Sequence, residues 1–97
     1  EHRSGHIDIF RNMGFEQKRV QLRLGVMSRN LLTEEYPLAE RDLHQEDERH
    51  WLLDTMVCNY AGVGRFVMGL IDDIEIIDSP ELTAYLRSKL EQASAKL

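Results

Sequence analysis

The chain has 97 residues, of which 42% are hydrophobic and 30% charged, and its formal charge is −5. A chain of this length buries roughly 60–65% of the surface it exposes when unfolded, enough for one core without staples. Its composition excludes a disordered tail, and no apolar run approaches the roughly 20 residues of a bilayer span, so no membrane insertion is expected.

No secretory apolar region follows the N-terminus. Cys58 is the one cysteine. It excludes an intramolecular disulfide framework and points to a reducing, cytoplasmic setting. The chain opens Glu1-His2-Arg3 without an initiator Met, so a segment of a larger protein is expected. The net negative charge argues against whole-surface affinity for duplex DNA. The cations are unevenly spread, however: Lys18, Arg19 and Arg23 crowd one segment, while Glu46-Asp47-Glu48 is acidic.

Residues 1–17 are the least regular and read as a connector from a preceding domain, with Ile7, Ile9 and Phe10 able to dock on a neighbour. Lys18 to Met27 then reads as a strand. Val20, Leu22, Leu24 and Val26 alternate with Arg19, Gln21, Arg23 and Gly25, giving one apolar and one polar face. Ser28 is a candidate N-cap for a short helix through Leu31, Leu32 and Glu35, which Pro37 must end or kink. Residues 39–46 read as a weak, exposed strand, and Trp51 to Tyr60 as a more buried one, broken by Gly62 and Gly64. Val63, Phe66, Val67, Leu70 and Ile71 fall at i, i+3, i+4, i+7 and i+8, the stripe of a helix beginning near Val63. Asp72-Asp73 closes it, and Ile74, Ile76 and Ile77 make another short strand. Ser79-Pro80-Glu81 supplies an N-cap, a first-turn proline and an early acid, and Leu82, Tyr85, Leu86, Leu90 and Ala93 mark the apolar side of the last helix.

The order is β-α-β-β-α-β over residues 18–97, plus a C-terminal helix. It predicts an α+β, ferredoxin-like fold, with helices on one face of a four-stranded antiparallel sheet.

Three arginines are candidate ligand contacts. Arg19 and Arg23 share the polar strand face with Gln21, where two guanidiniums suit phosphate oxygens. The competing reading is a solvated face with cross-strand carboxylates such as Glu75. Trp51 is the one aromatic considered for stacking there, so recognition of RNA by aromatic pairs is poorly supported. Arg65 follows Gly62-Val63-Gly64 at a strand-to-helix junction, where free backbone N–H groups favour anions. A dinucleotide fingerprint would need glycine where Val67 stands, and glycines also simply permit a tight turn.

His2 and His6 are four apart beside Gly5, and His44 and His50 lack a third ligand, so no metal site or cofactor is expected. Cys58 reads as a small core residue. The pairs Glu34-Glu35 and Asp72-Asp73 are solvated caps rather than an acid/base pair. No catalytic constellation emerges, and the chain is not expected to be an enzyme.

The stretch from Tyr60 to Leu86, including Gly-Arg-Phe-Val-Met-Gly-Leu-Ile-Asp-Asp-Ile-Glu-Ile-Ile-Asp-Ser-Pro-Glu-Leu, resembles the end of WYL-type bacterial transcriptional regulators. There a short helix runs into a Gly- or Asp-bearing turn, a strand, a Pro-Glu-Leu helix start and a final amphipathic helix. Lys18–Met27 resembles the first strand of the same region and Ser28–Pro37 its first helix, so the likeness spans about residues 17–97. The corresponding domain is the C-terminal extension, a ferredoxin-like module. The resemblance implies effector sensing and dimer contact, with a WYL domain of the same or a second subunit as partner and a nucleotide or single-stranded nucleic acid as effector. It also places a basic position at Arg65. The Trp-Tyr-Leu motif and a helix-turn-helix are absent, so the chain alone is not expected to bind operator DNA. The rival expectation is a stand-alone ferredoxin-like small-molecule or RNA-binding module.

Overall fold

A computed structural model of the protein describes residues 5–97. It is a mixed α+β globule with a four-stranded antiparallel sheet and three α-helices. A short hairpin, β1 (His6–Ile7) with β2 (Met13–Gly14), precedes the sheet. There follow β3 (Lys18–Leu24), α1 (Val26–Glu35), a 3-10 helix (Pro37–Asp42), β4 (Leu43–Gln45), β5 (Trp51–Val57), α2 (Ala61–Gly69), β6 (Ile74–Ile77) and α3 (Pro80–Ser94). Strand order across the sheet is β4-β5-β3-β6, with every neighbouring pair antiparallel.

The period-2 pattern of β3 sets the layers. Val20, Leu22 and Leu24 are fully buried, as are Leu53 and Val57 on β5, and they join Leu32, Val63, Val67, Leu82 and Leu86 of the helices in one core. Burying a Val or Leu side chain contributes roughly 1.5–3 kcal/mol, so this shared face dominates the fold's stability. The odd-numbered residues of β3 point the other way. There Arg19 lies opposite Met56, Gln21 opposite Asp54 and Arg23 opposite Leu52, on a face that carries no helix.

Residues 5–17, read from sequence as a connector, contribute to this same core. Ile9 and Phe10 are buried in it, while Ile7 stays exposed. The turn between β1 and β2 closes on Asp8, a residue only 5% exposed. Its carboxyl group accepts the backbone N–H groups of Phe10 (2.9 Å), Asn12 (3.0 Å) and Cys58 (2.9 Å), so a buried polar group is satisfied by three donors. Phe10 meets the Tyr36 ring edge-on at 5.1 Å, and Arg11, at φ 65°, donates to the Glu35 carbonyl at the end of α1. The expected weak strand over 39–46 shrinks to three residues. Pro37 fixes its own φ and ends α1, but the chain continues as a 3-10 turn that buries Ala39.

Ser28 is not the N-cap of α1. The helix begins at Val26, and Ser28 sits inside its first turn, fully buried. The cap comes from elsewhere: the Asp73 carboxylate accepts the Ser28 N–H at 2.6 Å, and its carbonyl accepts the Gly25 N–H at 3.0 Å. The loop before β6 thus satisfies the orphan donors of a helix 45 residues upstream. Gly25 permits it, because a Cβ there would collide with the Asp73 carboxylate. Ser79 precedes α3 as expected, yet its hydroxyl does not cap that helix. It donates to the Ile77 carbonyl at 2.8 Å and accepts the Gln21 N–H at 3.0 Å, stapling β3 to the end of β6.

Candidate functional site

The open sheet face is the first place to look for an anion site, because Arg19 and Arg23 both stand on it. Each is already engaged. Arg19 forks onto Asp54, its Nε 2.9 Å from Oδ1 and a terminal nitrogen 2.7 Å from Oδ2, and Gln21 adds a bond to the same carboxylate at 3.3 Å. Arg23 bridges Glu46 at 2.7 Å and Glu75 at 3.1 Å. The hydrogen bond from Arg19 holds the Asp54 carboxyl below its ordinary range, and that from Arg23 does the same for Glu46. Hydrogen bonds to Glu46 and then Glu75 in turn keep the Arg23 guanidinium more firmly protonated. A phosphate arriving here would have to displace a bidentate carboxylate and then face it as a like charge. The cross-strand pairing with Glu75 that competed with the ligand reading is present.

Trp51 does not reach this face. It pairs in register with Leu24, an inward residue, and the Arg29 guanidinium of α1 lies 5.2 Å from its ring. The face offers Leu52, Met56 and Ile77 between the ion pairs, and His44 of β4 is the one ring on it, with no Phe, Tyr or Trp among the strand residues there.

Arg65 lies in a different environment. It is on α2, in the helix layer, whereas Arg19 and Arg23 stand on the outward-facing side of β3. Gly62 and Gly64 do not make an open phosphate loop either. The helix starts at Ala61, both glycines are buried within it, and the Asn59 side chain accepts the Ala61 N–H at 3.0 Å. Their missing side chains serve packing: a Cβ at Gly62 would stand 2.8 Å from the Phe10 Cβ, and one at Gly64 3.0 Å from the Tyr85 ring.

That close approach of Tyr85 to α2 creates a groove of about 270 Å³ between α2 and α3, lined by Ala61, Gly64, Arg65, Met68, Tyr85, Leu86 and Lys89. Ala61, Gly64, Arg65 and Met68 are one helical stripe, and Tyr85, Leu86 and Lys89 are its counterpart on α3. Lys89 Nζ lies 5.5 Å from the Tyr85 centroid, and Tyr85 packs against Tyr60 with centroids 5.7 Å apart. On the far side of that pair Lys18 Nζ is 5.5 Å from the Tyr60 ring, but it is neutralised by Glu16 at 2.8 Å. Arg65 and Lys89 have no carboxylate within ion-pair distance among the described residues. Two unbalanced cations, an apolar floor and a half-buried tyrosine pair suit an anionic ligand with a flat or apolar portion.

Sequence reasoning singled out Arg65 but missed Lys89 and the tyrosine pair as its neighbours. Tyr85 was visible only as part of the apolar side of α3, and nothing local in sequence shows that α2 and α3 meet along these stripes.

No group of three or more His, Cys, Asp or Glu side chains among the described residues could hold a metal ion. His50 Nδ1 lies 3.0 Å from Asp47 within one turn, and His2, half of the His2/His6 pair, is outside the described residues. Cys58 is buried, as expected, and burial pushes its thiol pKa up, with the Asp8 charge adding to this. Among the described residues no helix is long and apolar enough to cross a membrane. The chain matches no known family, no curated protein and no solved structure.

Proposed function

We propose that this chain is a non-catalytic regulatory module of ferredoxin-like architecture, the C-terminal extension of a WYL-type bacterial transcription regulator, serving effector sensing and dimer contact. The observation that carries this reading is the interleaving of two β-α-β units. β3 and β5, the first strand of each unit, are central neighbours, while β4 and β6, the second strands, lie at opposite edges. That arrangement combines with the ordered likeness of the segments from Lys18 to Leu97.

Of the three arginines, the α2–α3 geometry favours Arg65 as the effector contact, with Lys89 beside it and Tyr85 as the stacking surface. A nucleotide or a short single-stranded nucleic acid has the required chemistry, an anionic backbone and a flat base. The probe is a fluorescein-labelled oligothymidylate titrated into the full-length regulator and read by anisotropy. Arg65→Glu combined with Lys89→Glu is expected to weaken binding more than tenfold, whereas Arg19→Gln with Arg23→Gln leaves it within about twofold. Indifference to the Arg65 and Lys89 changes would overturn the assignment. For the dimer part, the size of the full-length protein is compared with and without residues 18–97, and an unchanged dimer refutes it.

A further inference from the structure

The two edges of the sheet are unlike. β4, at one edge, has only three residues and runs straight into the acidic turn Glu46-Asp47-Glu48, which blunts it against another strand. β6, at the other edge, is one residue longer, with no proline, no lysine and Glu75 as its one charge. That charge is held on the open face by Arg23 at 3.1 Å. The Gly25 N–H reaches the Asp73 carbonyl and the Gln21 N–H reaches Ser79 Oγ, so the odd-numbered residues of β3 direct their backbone groups toward the β6 side. In an antiparallel ladder the partners Glu75 and Ile77 therefore point back at β3, and the N–H and C=O groups of Ile74 and Ile76 point off the edge. Beside them is a mostly apolar groove of about 400 Å³ whose lining includes Ile71, Ile74, Ile76 and Leu90 together with the charged Glu75 and Arg87, with Ile71 53% and Leu90 42% exposed.

We propose that this edge pairs with the β6 edge of a second copy of the chain, antiparallel about a twofold axis through Ile76, making one continuous eight-stranded sheet. The occupant follows from charge and register. Inward residues of one strand must lie opposite inward residues of the other, which permits an axis through Glu75 or through Ile76. An axis through Glu75 sets two carboxylates face to face. The axis through Ile76 lets the two Ile76 residues exchange both backbone hydrogen bonds and puts each Glu75 opposite Ile77 of its copy. The surface beside Ile76 also carries both signs of charge, Arg87 together with Asp78 and Glu91, which a self-pairing surface requires.

This deepens the dimer-contact part of the reading above and rests on it, yet it fails separately, because it is tested on the 97-residue chain by itself. Sedimentation equilibrium up to high micromolar concentration is expected to show a reversible dimer. Ile77→Glu, which places a carboxylate opposite Glu75 of the other copy at both symmetric positions, is expected to weaken it about tenfold. Ile77→Lys at the same site is expected to leave it unchanged or tighter, and circular dichroism of both variants checks that the fold is retained. A wild-type chain that stays monomeric overturns the proposal, as does an equal response to the two opposite charges.

Discussion

The cap supplied to α1 by Asp73 makes a quantitative test of how the two halves of this fold depend on each other. Removing the carboxylate in Asp73→Ala deletes the acceptor 2.6 Å from the Ser28 N–H at a fully buried residue. Loss of an N-cap acceptor costs about 1 kcal/mol, and loss of a negative charge at a helix N-terminus roughly another 0.5–1, so a destabilisation of about 2 kcal/mol is expected. Asp73→Asn keeps an acceptor and forfeits only the charge, about 0.5–1 kcal/mol. Gly25→Ala pushes a methyl into the same carboxylate, an overpacking that costs about 1–3 kcal/mol while Asp73 is present. With Asp73→Ala as background the obstruction is gone, so the two effects should be non-additive by at least about 1 kcal/mol. Urea unfolding at neutral pH, followed by Trp51 fluorescence and by circular dichroism, measures all four members of the cycle. Additive single effects, or an Asp73→Ala variant within about 0.5 kcal/mol of wild type, would refute the tertiary cap.

Other substitutions separate packing from propensity. Gly69→Ala meets nothing within 4 Å at the end of α2 and should stabilise the chain by about 0.5 kcal/mol in thermal or urea melts. Gly62→Ala gains the same propensity but drives a Cβ to 2.8 Å from that of Phe10, and should be net destabilising. Asp8→Ala orphans three backbone donors and should cost about 3 kcal/mol or more in urea unfolding, with Asp8→Asn less severe. The Asp54 carboxyl is held below its ordinary value of 3.8 by Arg19, so folding releases protons there. That stability is present above the ordinary value and is lost as pH falls through the depressed one. Melting temperatures followed from neutral to acid pH should therefore converge for wild type and Arg19→Gln in strong acid and separate above it. Parallel curves would show that the pair contributes nothing.

Most of the elements were readable from local pattern, because a strand or helix with one buried face records that face as a period in its own residues. β3 is the clearest case: every second residue from Val20 to Leu24 is fully buried, and the arginines between them are not. The stripe of α2 and the Ser79-Pro80 start of α3 were equally direct, within two residues at the start of α2. The positions that local pattern did not resolve are those whose partners are distant in the chain. Ser28 has the chemistry of an N-cap, but a better acceptor arrives from Asp73, and the helix extends back past it. Residues 5–17 lack periodicity because their order comes from one buried carboxylate and two side chains inserted into a core built by other segments. Trp51 alternates correctly within β5, yet which side of the sheet it faces depends on register with Leu24.

The candidate site divides along the same line. The sequence by itself determined an α+β chain of this element order, one amphipathic central strand and three arginines worth testing. Only the tertiary structure decided that two of them are spent on Asp54, Glu46 and Glu75, and that the third stands in the α2–α3 groove beside Lys89 and Tyr85. Periodicity reports which face of an element is buried. It carries no information about which charges from other elements are brought within hydrogen-bonding distance of that face, and this is what separates a neutralised arginine from an available one.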